Sequence, residues 1–358
     1  MSGPLQNSPR DTVAILGVPI DKLDMQQVLA KIDRYVKSRR FHQIATANSD
    51  FLLKAHQDPE LRAVLRMSDM VVADGMPIVR SSKWLKSPLA ERVTGADLVP
   101  LLASQAAAKG YRIFMLGAKQ EVAERARKKL EADNPGLKIV GAISPPLTEL
   151  VRMDNVPILR AIEEANPDIL LVAFGNPKQE KWIHMHREIL NVPVCIGIGG
   201  TFDFIAGEIP RAPKWVQSIG MEWLYRLCQE PRRLWKRYVH DIGHFGKYIT
   251  AQMNVMSAFR GDQPFKIEAV SIDGRNVVRV SGKFLASDST DFVSLVDPLI
   301  SEGKPFSIDL STLKFIDSGG LSAILTACGR SARKGLLCSI IGATGQPAAA
   351  IRHAGTDP

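Results

Sequence analysis

From residue 13 to about residue 210, short apolar runs alternate with stretches of helical period, and the runs are continuously apolar. This pattern predicts βαβ units around a mostly parallel sheet with helices on both faces. The predicted strands are VAILGVPI from Val13, HQIATAN from His42, MVVADG from Met70, YRIFMLG from Tyr111, LKIVGAI from Leu137, DILLVAFG from Asp168 and VPVCIGIGG from Val192. Several end in Asn, Asp or Gly. Ligands of open parallel sheets bind at the carboxyl ends of the strands, so Asn48, Asp74, Gly117, Gly175 and Gly199 are the positions to watch.

At Arg211 the pattern changes to a stretch rich in Trp, Tyr and Arg, which reads as a helical appendage instead of another βα unit. FRGDQP from Phe259 reads as a linker, with a break near Gly261. A second, smaller α/β pattern follows. It comprises a hairpin (KIEAVSI and NVVRVSG about the Asp273-Gly274 turn), a helix over 289–300, the strand FSIDL, an amphipathic helix after STLKFIDSGG, and the strand LLCSIIG. The expected organisation is a flexible start (1–12), an α/β domain (13–210), the appendage with its linker (211–260) and a small α/β domain (261–358).

Composition narrows this picture. At 358 residues the chain exceeds one ordinary core, so two domains are expected. No window approaches the roughly 18 apolar residues of a membrane-spanning helix, and the polar start MSGPLQNSPRDT lacks the apolar stretch of a secretory signal. The expected location is cytoplasmic. Cys195, Cys228, Cys328 and Cys338 lack CxxC spacing, which argues against a disulfide framework or a zinc site and predicts small buried side chains. The formal charge of +9 suits nucleic acid, anionic lipid or phosphorylated substrates, and its distribution decides among them.

Four segments carry candidate chemistry: TANSDF from Thr46, VVADGMPIV from Val71, ERVTGADL from Glu91 and GNPKQEKW from Gly175. Asp74, at a strand tip before Gly75, fits a general base that takes a hydroxyl proton, and equally a turn-forming or capping aspartate. Arg92 fits either a counter-charge for a diphosphate or a surface arginine. Gly95 and Gly117 could admit phosphate to backbone amides at helix N-termini. Asn176, Gln179 and Glu180 offer groups for sugar hydroxyls, or a helix cap. No glycine-rich dinucleotide fingerprint is present.

In this order and approximate spacing, these segments resemble the WecB/TagA/CpsF glycosyltransferase family over roughly residues 13–240. The resemblance implies a Rossmann-like fold and an inverting reaction that needs no metal or cofactor. It implies a UDP-sugar donor carrying a hexose, N-acetylhexosamine or its uronate, a polyprenyl-diphosphate-linked acceptor, and a role in cell-wall, capsule or exopolysaccharide synthesis. It makes Asp74 the base, with Thr46, Asn48, Arg92 and Gln179 in the catalytic pocket. Gly95, Gly117, Gly175, Gly199, Gly200 and Asp203 then lie near the donor.

A lipid-linked acceptor gives the appendage a purpose. Between Glu222 and Tyr238 there are five basic and two acidic residues, interleaved with Trp223, Tyr225, Trp235 and Tyr238. Aromatic rings favour the headgroup layer, and each Arg or Lys near an anionic membrane contributes about 1 kcal/mol. Arg211, Arg226, Arg232, Arg233 and Arg237 are therefore candidate lipid- or diphosphate-binding residues, on a protein expected at the inner face of the cell membrane. A solvated basic helix face is the alternative. No nucleic-acid module accompanies the patch.

The C-terminal pattern resembles a STAS domain, most clearly in DLSTLKFIDSGGL from Asp309. In anti-sigma-factor antagonists of that fold the serine after the aspartate is phosphorylated, which makes Ser318 a candidate phosphosite and a kinase a candidate partner; helix capping is the other reading. Two functions thus remain: a membrane-surface glycosyltransferase, favoured by its intact site residues, or an inactive membrane-associated scaffold acting through its STAS domain.

Overall fold

The structure is a computed structural model. It describes residues 10–213, 216, 222–229, 231–257, 263–272 and 275–357; within 222–257 the side chains of residues 223, 226, 229, 231–234 and 236–240 lie outside the description.

The chain opens with an antiparallel hairpin, β1 (Thr12–Ile15) and β2 (Val18–Asp21), a sheet of its own. The continuous run VAILGVPI therefore does not join the parallel sheet. It folds back at Leu16-Gly17, where both residues take positive φ (49° and 79°), the geometry of a two-residue primed hairpin turn. Arg10 is also part of the fold, pairing with Asp21 at 2.5 Å and donating to the Ser68 carbonyl at 2.8 Å.

There follow α1 (Met25–Ser38), β3 (His42–Ala47), α2 (Ser49–Gln57), α3 (Pro59–Met67), β4 (Met70–Ala73), α4 (Met76–Trp84), α5 (Gly95–Lys109) and β5 (Arg112–Gly117). Next come α6 (Gln120–Asp133), β6 (Lys138–Ile143), α7 (Val156–Ala165), β7 (Ile169–Ala173), α8 (Lys178–Met185), β8 (Val194–Gly197) and α9 (Thr201–Ile205). Six strands form a parallel sheet in the order β4-β3-β8-β7-β5-β6.

Both faces are buried, which is why these strands read as continuous apolar runs. On one face Ile44, Val72, Met115, Leu171 and Ile196 meet α1, α5, α6 and α9. On the other, Ala45 and Val71 meet α2, α3, α4 and the hairpin, while Phe114, Leu170 and Val172 meet α7 and α8. The chain leaves β3 toward one face and β8, its neighbour, toward the other. The crevice between their carboxyl ends is therefore the topological switch point.

The appendage is helical: α10 (Glu222–Gln229) and α11 (Pro231–Ser257). No helix of the described residues is long and apolar enough to cross a membrane. The second half of α11 is no free tail, because Phe245 and Ile249 are buried among α2, α4 and the hairpin.

The C-terminal domain comprises β9 (Lys266–Ile272), β10 (Arg275–Phe284), α12 (Ser289–Ser301), β11 (Phe306–Asp309), β12 (Leu313–Ile316), α13 (Ser318–Arg333), β13 (Cys338–Ile341) and α14 (Gly345–His353). The expected hairpin is present, with its turn residues Asp273 and Gly274 outside the described residues. The sheet runs β12-β10-β11-β13, and β9 pairs with β10.

α13 packs on β1 and α3, and Ala14 of the hairpin belongs to this domain's core. Polar groups complete the seam. Arg66 donates to the carbonyls of Gly17 (2.8 Å) and Ala354 (2.5 Å) and to the Thr356 hydroxyl (2.8 Å), and Arg333 pairs with Asp69. Gln252 of α11 accepts from Leu16 N (3.0 Å) and donates to the Ala14 carbonyl (2.8 Å) and Ser318 Oγ (3.3 Å).

Candidate active site

Strand-tip residues gather along the carboxyl edge in the order of the strands: Asp74 after β4, Thr46 on β3 and Asn48 just after it, Gly199, Gly200 and Asp203 after β8, Gly175 and Gln179 after β7, and Gly117 on β5. With strands roughly 4.8 Å apart, Asp74 and Gly117 stand about 19 Å from each other, the scale of an extended nucleotide sugar.

Asp74 is half-buried. Its amide donates to the Ala47 carbonyl (2.7 Å), and Val93 N donates to the Ala73 carbonyl (2.8 Å). These bonds fix Asp74 between the β3 tip and the segment carrying Arg92. The Arg211 guanidinium lies within electrostatic range of its carboxylate.

Arg92 and Arg211 converge through acidic partners that the sequence reading missed. Arg92 pairs with Glu222 (3.0 Å) and lies 3.8 Å from Asp97; Arg211 pairs with Asp97 (2.7 Å). Against burial, which pushes it up, Arg211 and Thr94 hold the Asp97 carboxyl below the usual range. Asp97 had a local signal, since T-x-x-D at a helix start suits a cap: Thr94 accepts from Asp97 N (3.1 Å) and donates to its Oδ2 (2.7 Å). Glu222 had none, being 130 residues from Arg92 in the chain.

Three of the candidate residues make packing contacts along this edge. Gln179 is 1% exposed, and its Oε1 accepts from Gly175 N (3.1 Å) and Gly199 N (3.0 Å). It fastens two loops of the edge. Thr46 is 5% exposed and donates to the Gly197 carbonyl (3.1 Å), stitching β3 to β8 across the crevice. Gly95 is buried, and a Cβ there would press on Thr201 Oγ1, so its smallness serves the approach of α5 to α9. Asn48 is exposed and caps α2 by accepting from Phe51 N (3.0 Å). Gly175 and Gly199 border open space, whereas a Cβ on Gly200 would meet the Asp203 carboxylate.

Glu180 also lies beneath this edge. Its buried carboxylate accepts from Gln179 Nε2 (2.6 Å) and Asn176 Nδ2 (3.2 Å). Burial pushes its pKa up to about 7 against those two donors.

Ser318 is not at this edge. It is completely buried in the seam under Gln252, so a kinase cannot reach it in this arrangement. Asp317 is the cap of α13, accepting from Gly319 N (2.9 Å) and Gly320 N (2.8 Å). Of the cysteines, Cys195 is buried as expected, whereas Cys228 is exposed and Cys328 and Cys338 are partly exposed neighbours. The side chains of Arg226, Arg232, Arg233 and Arg237 lie outside the described residues.

Residues 13–257 match the Glycosyl transferase WecG/TagA/CpsF family and residues 269–358 match the Mlab, STAS domain. Among curated proteins, the N-acetylglucosaminyldiphosphoundecaprenol N-acetyl-beta-D-mannosaminyltransferase of Bacillus subtilis (strain 168) is 32% identical over 227 residues, 63% of this chain and 86% of that protein. The protein of the same name from Bacillus spizizenii is 33% identical over 217 residues, 61% of this chain and 80% of its own. With a strand-tip aspartate, paired arginines and an open glycine rim set at the switch point of a parallel sheet, the chain belongs to the WecG/TagA/CpsF family of glycosyl transferases and carries a C-terminal STAS domain.

Proposed function

We propose that the chain transfers an N-acetylhexosamine from a UDP-sugar to a polyprenyl-diphosphate-linked sugar, with inversion and without a metal ion. The observation carrying this reading is Asp74 at the crevice, with Arg211 in electrostatic range and Arg92 on the adjoining segment. The acceptor hydroxyl oxygen forms a bond to the anomeric carbon as the bond from that carbon to the donor phosphate breaks. Asp74 takes the hydroxyl proton, and the diphosphate leaves with the electron pair. Attack opposite the leaving group inverts the centre. Arg92 and Arg211 exchange carboxylate partners for phosphate oxygens as negative charge builds on the leaving group.

The names of the two Bacillus relatives specify an N-acetylglucosaminyl-diphosphoundecaprenol acceptor and a transferred N-acetylmannosamine. They support the same acceptor class here. A lipid-linked acceptor places the enzyme at the inner membrane face, held by the basic aromatic helices α10 and α11, where Trp235 is 49% exposed.

The test is transfer from a panel of labelled UDP-sugars to synthetic N-acetylglucosaminyl-diphosphate lipid, with excess EDTA, comparing wild type and Asp74→Asn. One UDP-N-acetylhexosamine is expected to serve the wild type alone. No transfer from any donor, or equal transfer by the variant, overturns the reading.

A further inference from the structure

Cys328 on α13 and Cys338 on β13 bring their sulfurs to 3.2 Å, ten residues apart in the chain. No motif announces the pair. The fold makes it, by laying α13 across the start of β13, which is the last strand of its sheet. Both residues are partly exposed. The two thiols differ in character. The Cys338 contact and the nearby Arg66 charge hold the Cys328 thiol below its ordinary range against burial, while the same contact and burial push the Cys338 thiol up. Thiol–disulfide exchange needs an accessible attacking thiolate and a second sulfur positioned to resolve the adduct.

We propose that Cys328 and Cys338 form a dithiol modification site that closes to an intramolecular disulfide on meeting a low-molecular-weight disulfide. The Cys328 thiolate attacks one sulfur of the external disulfide, forming a mixed disulfide and expelling the first thiolate. Cys338 then attacks Cys328 Sγ, its proton passing to the second departing thiolate. The two protein thiols are oxidised, and the external disulfide is reduced to two thiols.

The position gives the reaction a structural target. The next residue, Gly329, packs so tightly on the Arg66 backbone that a Cβ there would overlap its carbonyl, and Arg66 is the guanidinium that ties the hairpin to the C-terminal residues. A disulfide therefore staples β13 to the helix that forms the interdomain seam.

The test uses the full chain with Cys228→Ser, which removes the exposed thiol, treated with oxidised glutathione and quenched with N-ethylmaleimide. The expected product is lighter by two hydrogens before quenching, retains one alkylatable thiol, Cys195, on unfolding, and yields a cross-linked pair of tryptic peptides carrying Cys328 and Cys338. In a Cys338→Ser background the glutathione adduct should accumulate on Cys328. A stable adduct on the pair without closure, or free thiols under conditions that fully modify Cys228 in the wild type, overturns the proposal. The first result does not depend on how the Cys338→Ser variant folds.

Discussion

Two arginine clusters, one at the carboxyl edge of the large sheet and one at the seam between domains, use the same side chain in different ways. At the edge, Arg92 and Arg211 are partly exposed and pair with the carboxylates Asp97 and Glu222. At the seam, the hydrogen bonds of Arg66 run to two carbonyls and a hydroxyl. Burial there lowers its pKa to about 10. Carboxylate partners on a half-open rim can be exchanged for phosphate at modest cost. Backbone carbonyls of a packed interface cannot be exchanged without opening it. The comparison assigns binding to the first cluster and cohesion to the second.

The sharpest way to break this contrast is to cross the readouts. Asp74→Asn is expected to lower kcat by about 10²–10⁴, the range of a lost general base, with thermal unfolding unchanged. A matching loss of stability would move Asp74 from chemistry to scaffolding. Arg66→Met should do the reverse, costing about 3 kcal/mol by leaving buried acceptors unpaired, read by urea unfolding. A seam that tolerated this change would not be held by the guanidinium.

The two regions should also differ in pH response. Because the folded state holds the Glu180 proton up to about 7 against an ordinary 4.5, stability is present below the lower value and lost as pH rises through the higher one. Glu180→Gln should remove that decline, worth on the order of 2 kcal/mol between pH 5 and 8; equal slopes for both proteins would contradict it. At the seam, the tilted rings of His56 and His353 lie 5.8 Å apart, and burial holds both below the usual histidine range. Their stabilisation is present above about pH 6.5 and is lost as pH falls through their folded values. His353→Gln should flatten that acid limb, measured as the shift in unfolding midpoint between pH 7 and 5.

The smallest effect belongs to the rim. Arg92→Gln should change stability by less than about 1 kcal/mol, as for partly exposed ion pairs, while raising the KM for the donor. A large loss of stability would make Arg92 a structural residue like Arg66.

The sequence by itself determined the alternation of strand and helix, the two-domain pattern and the polar residues at the strand tips, because periodicity, caps and turn residues are properties of neighbouring positions. Thr94 could be read as a cap, and Asp74 as a strand-tip acid, from a few residues on either side. Where a side chain's partner came from a distant element, only the tertiary structure decided. VAILGVPI carries a strand's composition, yet it turns back at Leu16-Gly17 to lie between α13 and the transferase core. Gln179 could be read as a site amide, but not as the acceptor that joins the backbone amides of Gly175 and Gly199. Glu222 reached Arg92 across 130 residues, and Cys328 reached Cys338 only because a helix crossed the first residue of an edge strand. Ser318 kept the residue type of a switch and lost the exposure one needs. Residue type is local information, whereas burial and pairing belong to the packed whole.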